Sequence, residues 1–209
     1  MKQAEIGIIL KKLSGSASFS IVGKSVGRIH LVVLNPLYAR RLVPGAVISF
    51  VPRQFNGACY IAERATLDVL HLYQTLDMYW LHHLFELSHF FVPLNQPHDG
   101  LFIFLRRCIE LPPRFKETPG VWLCIQRMNI GALLMLLGFF PPQPLEQKLL
   151  YFLKIMVSAE SSWLEHLDAY IEELYQVSVV ELDSWLVKCI HSHPNVSLFK
   201  TLDFMYNNP

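Results

Sequence analysis

The sequence predicts an α+β protein: a small five-stranded barrel in front and an all-α part behind. Three observations carry this. Apolar residues alternate with period two up to about residue 67, then recur every three or four positions. Glycine and proline turn signals punctuate the first part at short intervals. Charge divides at the same place. Residues 1–66 hold nine Lys or Arg against Glu5 and Glu63, a balance of +7, whereas residues 67–209 balance at −6.

The strands come first. AEIGIILKKL (4–13) sets Ile6, Ile8 and Leu10 at alternate positions, and SASFSIV (16–22) sets Ala17, Phe19 and Ile21 against serines. GRIHLVVL (27–34) alternates Ile29, Leu31 and Val33 with Arg28, His30 and Val32. Period two with β-branched residues is the pattern of half-buried strands. Gly15, the segment from Gly23 to Gly27, and Pro44–Gly45 supply turns. AVISFV (46–51) and ACYIAERATL (58–67) complete five strands, with a less regular link, NPLYARRLV, at 35–43. Five short strands in this length fit a closed barrel of OB or SH3-like type. The predicted domains are 1–67 and 68–209.

From Asp68 the period changes. Val69, Leu72, Tyr73, Leu76, Trp80, Leu84, Leu87 and Phe91 keep helical spacing until Pro93 and Pro97. Asp99 is a candidate cap for LFIFLRRCIEL, which stops at Pro112–Pro113. A third helix, roughly 119–138, contains RMNIGALLMLLGFF and is apolar on nearly every face, so it belongs at the centre of a bundle. Further helices are expected from Pro144, with Glu146 in the first turn, in SAESSWLEHLDAYIEELY, in VVELDSWLVKCIHSH and in NVSLFKTLDFMY.

Hydrophobic residues at 52% and charged residues at 17% exclude a disordered chain. The mean hydropathy of +0.31 raises a membrane question. A span needs about 20 apolar residues, but Gln126, Arg127 and Asn129 interrupt the longest run at one end and Pro141–Pro142 close it at the other. No membrane span is expected, and the N-terminal apolar run is too short and too charged for a secretory signal. Cys59, Cys108, Cys124 and Cys189 form no CxxC pair, which points to free thiols and a cytoplasmic protein.

Candidate chemistry is sparse. His82, Glu86 and His89 share a helix face at metal-ligand spacing, but they form no HExxH and suggest no further ligand, so a structural role and no metal are expected. His191 and His193 suit a helix end. There is no GxSxG, and GKSVG (23–27) is too short for a phosphate loop. Glu172–Glu173 reads as a solvated helix face. An enzyme is therefore not expected, and neither is a cofactor. The basic front is the better lead. Lys11, Lys12, Lys24, Arg28, Arg40, Arg41 and Arg53 fall near strand ends and loops, with Tyr38, Phe50, Phe55 and Tyr60 among them. Cations that track a backbone beside stacking aromatics are the physics of strand binding. Phe50 and Tyr60 read as core, and Phe55, in a turn, reads as exposed.

The order of elements resembles the bacterial RecO family of DNA repair and recombination mediators. The residues that carry this are Leu136-Leu137-Gly138-Phe139 with Pro141 and Pro142, GRIHLVVL, RLVPGAVISFV (41–51), the hairpin YWLHHLFELSHFFVPLNQPHDGLFIFLRRCIEL (79–111), and SLFKTLDFM (197–205). The likeness spans nearly the whole chain. It implies an N-terminal OB-fold barrel with a C-terminal helical domain. It also implies binding of single- and double-stranded DNA, strand annealing, pairing with RecR, contact with the acidic, apolar C-terminal tail of single-strand-binding protein, and recombinase loading near the nucleoid. Arg106, Arg107 and Arg127 are the candidates to meet that tail. Two features depart from the family. FFPPQPLEQKLL lacks the four-cysteine zinc finger, and LNPLYARR replaces a basic loop, leaving Arg40 and Arg41 in its stead. The competing expectation is a RecO-like scaffold that acts through protein–protein contacts alone.

Overall fold

The structure is a computed structural model that describes residues 4–15, 17–69, 78–98, 100–111, 119–140, 147–158 and 180–202. It divides into two compact units, Met1–Glu110 and Leu111–Pro209. The helix expected in SAESSWLEHLDAYIEELY beyond Ser158, the first residues of the helix expected from Pro144, the Asp99 cap and the last residues of NVSLFKTLDFMY lie outside the described residues.

In the first unit, β1 (Glu5–Lys12), β2 (Ser18–Gly23), β3 (Gly27–Val33), β4 (Val47–Asn56) and β5 (Cys59–Val69) close into a barrel in the order β1-β2-β3-β5-β4. All neighbours run antiparallel except β3 and β5, which pair in parallel from His30–Cys59 to Val33–Ala62. The inward residues are those the alternation marks. Phe19, Ile21, Ile29, Leu31, Val33, Ile48 and Phe50 form the core, and Tyr60 packs against it. In β1 it is Ile9 that enters this core. Ile8 and Leu10 are buried as well. They fall on the opposite face, the one that helices pack upon, with a register shift between Ile9 and Lys11.

The link at 35–43 contains a single turn of helix, α1 (Pro36–Ala39). Asn35 caps it, its Oδ1 accepting from the Leu37 and Tyr38 amides at 3.0 and 3.1 Å, and Pro36 opens it. Asn-Pro is therefore a helix start here rather than a loop.

Two further helices belong to the same unit. α2 (Met78–Phe91) and α3 (Leu101–Ile109) pack against β1. Their connection lies on the barrel. The Asn95 amide donates to the Arg28 carbonyl at 2.8 Å, and Asn95 Nδ2 donates to the Gly57 carbonyl at 3.0 Å. Gly27, at φ +71°, lets this connection approach so closely that a Cβ there would collide with the Gln96 carbonyl. The sequence boundary at 67/68 thus falls inside one compact unit, because period change marks secondary structure and not where packing ends.

The second unit contains α4 (Pro119–Leu136), α5 (Gln147–Val157), α6 (Val180–His191) and a 3₁₀ turn at Val196–Leu198 where a longer helix was expected. α4 packs against α5 and α6. A Cβ at Gly131 would stand 3.0 Å from Leu153, 3.2 Å from Leu182 and 3.3 Å from Trp185, so this glycine sets the close approach. Among the described residues α4 alone is long and apolar enough to cross a membrane, and 72% of that stretch is buried within the protein, as a core helix is. Its end is a Schellman cap. The Phe139 amide reaches the Leu134 carbonyl at 2.9 Å, and Gly138, at φ +89°, reaches Met135 at 3.0 Å.

Candidate nucleic-acid interface

Each basic residue of the barrel is placed by the strand or turn that carries it, and they fall into two groups. The first is committed to the fold. α2 crosses the outer row formed by Lys11, Ser20 and His30, which are paired neighbours on β1, β2 and β3. The Lys11 ammonium lies over the Phe90 ring, 5.0 Å from its centroid. Arg28 Nη1 donates to the His89 carbonyl and approaches His89 Nδ1 at 3.4 Å. Ser20, fully buried, holds the same Nδ1 at 2.9 Å. A guanidinium cannot accept, so Nδ1 is the lone-pair side and the neutral ring carries its proton on Nε2. Burial first, then Arg28, Lys11 and His30, pull the His89 pKa down to about 4. Arg28 itself is half-buried, and burial lowers its pKa too.

Other expected residues are also engaged. Arg53, on the outer part of β4, pairs with Glu63 at 3.8 Å. Arg106 pairs with Glu110 at 2.8 Å along α3, and Arg107 is half-buried. Arg127 lies inside the second unit, 7% exposed and 2.8 Å from Asp183. Its expected meeting with a partner tail is corrected on that ground. An apolar helix centre with an Arg invites a buried partner, and that partner comes from α6.

The second group makes no ion pair among the described residues: Lys12, Lys24, Arg40, Arg41 and Arg64. Lys24 stands in the β2–β3 turn, at the end of the barrel that the α2–α3 connection covers. Lys12 stands at the other end, where the Val33 amide meets the Ala17 carbonyl of the β1–β2 turn. Arg40 and Arg41 follow α1 and are exposed. Phe55 lies near the tip of the β4–β5 hairpin and is 71% exposed.

Between α1 and β5 lies a groove of about 300 Å³, walled by Val33, Leu34, Tyr38, Ala62, Arg64 and Ala65, with Asn35 and Glu63 at its sides. Leu34 and Leu37 beside it are 64% and 70% exposed. The Tyr38 hydroxyl is buried and has no hydrogen-bond partner among the described residues. Burial, then Asp68, raises its pKa, so it stays a donor. Arg64 is the residue the sequence reading left out, and Tyr38 entered it only as one of the aromatics among the cations. The available signal was ERA flanked by alanines: Ala62 and Ala65 leave space on β5 where larger strand residues would fill it.

The histidine face offers no metal centre. Among the described residues no group of three His, Cys, Asp or Glu is placed to hold a metal ion. Cys108 and Cys124 are buried in apolar surroundings, and burial pushes Cys124 up to about 11 and Cys108 higher still, so neither is a reactive thiol.

No protein-family model matches the chain, and no curated protein sequence matches it.

Proposed function

We propose that the chain is a nucleic-acid-binding protein whose N-terminal barrel is an OB fold and grips phosphates of single strands. The observation that carries this reading is the set of exposed cations Lys12, Arg40, Arg41 and Arg64 that make no ion pair among the described residues, with Arg64 in the wall of an open groove. Strand order β1-β2-β3-β5-β4, with one parallel pair and a helix between β3 and β4, supports the OB assignment. Counterions released from neutralised phosphates supply the affinity. In this reading the protein is a RecO-like mediator in the cytoplasm. It binds single- and double-stranded DNA and promotes annealing and recombinase loading with RecR and the tail of single-strand-binding protein. It binds and presents strands and breaks no bond.

A second reading, a scaffold without nucleic-acid affinity, is favoured by one observation: Lys11 and Arg28 are taken up by contacts with α2, and the exposed Arg53 has Glu63 at 3.8 Å. Oligonucleotide affinity measured over a salt series separates the two. Arg40→Ala with Arg41→Ala is expected to lower the salt slope by about 1.5, as loss of two single-strand phosphate contacts does. Arg28→Ala is expected to lower stability and leave the slope unchanged. No binding at low salt, or a slope that the double variant does not move, speaks for the scaffold.

A further inference from the structure

We propose that the outer edge of β5 pairs antiparallel with the same edge of a second copy of the chain, making a twofold dimer centred on Thr66. β5 has a strand on both sides only as far as Ala62, where its parallel pairing with β3 ends. From Ala65 to Val69 β4 holds one side, and no strand among the described residues holds the other. α1 stands across the groove from Ala62–Ala65, and no backbone hydrogen bond joins it to β5 among the described residues. An unpaired edge is a template for another strand, and proteins commonly guard such edges with charge. An edge guarded by one sign of charge repels its own copy. This edge carries both signs.

The two signs are self-complementary. Ala65 and Leu67 pack against the barrel core, and Arg64, Thr66 and Asp68 between and beside them are exposed. Register shifts against β4 flank this stretch, and its regular part runs from Ala65 to Leu67. Antiparallel pairing about Thr66 sets Arg64 of each copy opposite Asp68 of the other, Ala65 opposite Leu67, and Thr66 opposite its own mate. Opposite charges and facing threonines are favourable cross-strand pairs, and the dyad makes the charge contact twice. Arg64 makes no ion pair among the described residues. It cannot reach Asp68 of its own chain, since four residues at strand rise separate them by about 13 Å. Asp68 accepts from the Ser49 hydroxyl through Oδ2, which leaves Oδ1 for a guanidinium. Leu34 and Leu37, on the α1 side of the groove, are 64% and 70% exposed and supply apolar surface for the pair to cover. A polyanion matches Arg64 and is repelled by Asp68. A strand that presents both signs in reverse order fits, and β5 of a second copy is such a strand. Because Arg64 is also among the exposed cations of the nucleic-acid reading, a nucleic-acid strand seated at the groove competes with the second copy. The dimer itself does not rest on that reading, and its test contains no nucleic acid.

The experiment is sedimentation equilibrium of the full chain at low salt, over a series from sub-micromolar to high micromolar concentration. The wild type is expected to pass from monomer to dimer and no further, since a twofold contact closes on itself. Arg64→Asp places two like-charge pairs in the interface and is expected to weaken dimerisation about tenfold, and Asp68→Arg likewise. An equimolar mixture of the two variants is expected to associate as a heterodimer at wild-type strength, because each copy offers the sign the other lacks. The double variant, Arg64→Asp with Asp68→Arg, restores both pairs at unchanged net charge and is expected to dimerise within about threefold of the wild type. Both sites are exposed, so the unfolding midpoints should stay together. A wild type that stays monomeric throughout, or that assembles past the dimer, overturns the proposal. So do single variants that dimerise like the wild type, or a double variant as weak as the single ones.

Discussion

The two ends of the barrel are built from the same kind of strand and used in opposite ways. At one end the α2–α3 connection closes over the β2–β3 and β4–β5 turns, hydrogen-bonding Arg28 and Gly57, and Arg28 is drawn into α2. At the other end one turn of helix, α1, stands beside β5, Arg64 lines the groove between them, and Lys12, Arg40 and Arg41 are exposed and make no ion pair among the described residues. The difference teaches that a positive sequence balance is not a binding surface. A cation beside a helix that must be packed becomes structure, and the same residue type beside a short cap remains available. The charge that matters is what is left after the fold has taken its share.

The sharpest way to break the comparison is at Gly27. Its φ of +71° and the Gln96 carbonyl beside it leave no room for a side chain. Left-handed backbone costs a non-glycine residue about 1–2 kcal/mol, and displacing the connection adds to that. Gly27→Ala is expected to cost about 3 kcal/mol in urea unfolding. If the loss stays below about 1 kcal/mol, the connection is a loose cover and the distinction between the ends is one of degree.

Much of this was legible beforehand, and the failures have physical causes. Period two placed Phe19, Ile21, Ile29, Leu31, Val33 and Phe50 in the barrel core, and the all-round apolar pattern placed α4 in a core. β1 was less clear because both of its faces are buried, one in the barrel and one under α2, so alternation carries no phase there. The site was half legible. Exposure of Phe55 followed from its turn, but the fate of Arg28 depended on His89, 61 residues away, which no local pattern reveals. Arg64 was visible as charge but not as a wall, since only the parallel β3–β5 pairing brings it beside Tyr38. Leu-Gly-Phe at 137–139 now has a local explanation as a helix stop. The motif that most suggested a family is thus one that any helix ending in this way can share.

The closed end also has a pH signature. His89 titrates near 4 in the folded protein and near 6.5 when unfolded. Between those values the unfolded chain binds a proton that the folded one refuses, so stability falls as pH drops through this window and levels off below it. Arg28, Lys11 and His30 face the ring and oppose its charging, and the Ser20 hydroxyl occupies its lone pair. For a half-buried ring screened by solvent the loss is on the order of 1–2 kcal/mol. It is measured as the stability difference between wild type and His89→Asn at pH 7 and pH 4.5, which is expected to narrow toward acid. A difference that is constant with pH means the ring titrates normally and the seam is open to water.

The smallest effect expected is also the one that decides whether the two ends cooperate. Phe55 sits at the covered end yet is 71% exposed, so Phe55→Ala should move stability by less than about 0.5 kcal/mol. From its level on the barrel to the groove is roughly 15 Å along β5, counting five residues at strand rise. A strand of about four nucleotides seated at the groove reaches no further than that, whereas OB sites extend to longer strands. Phe55→Ala should therefore leave the affinity for a tetranucleotide unchanged. It should weaken a dodecanucleotide by about fivefold, the lower limit for one stacked base. An equal loss on both lengths would move the first contact to the covered end and dissolve the contrast. No loss on either would confine binding to α1 and β5, and Phe55 would then be an exposed turn residue and nothing more.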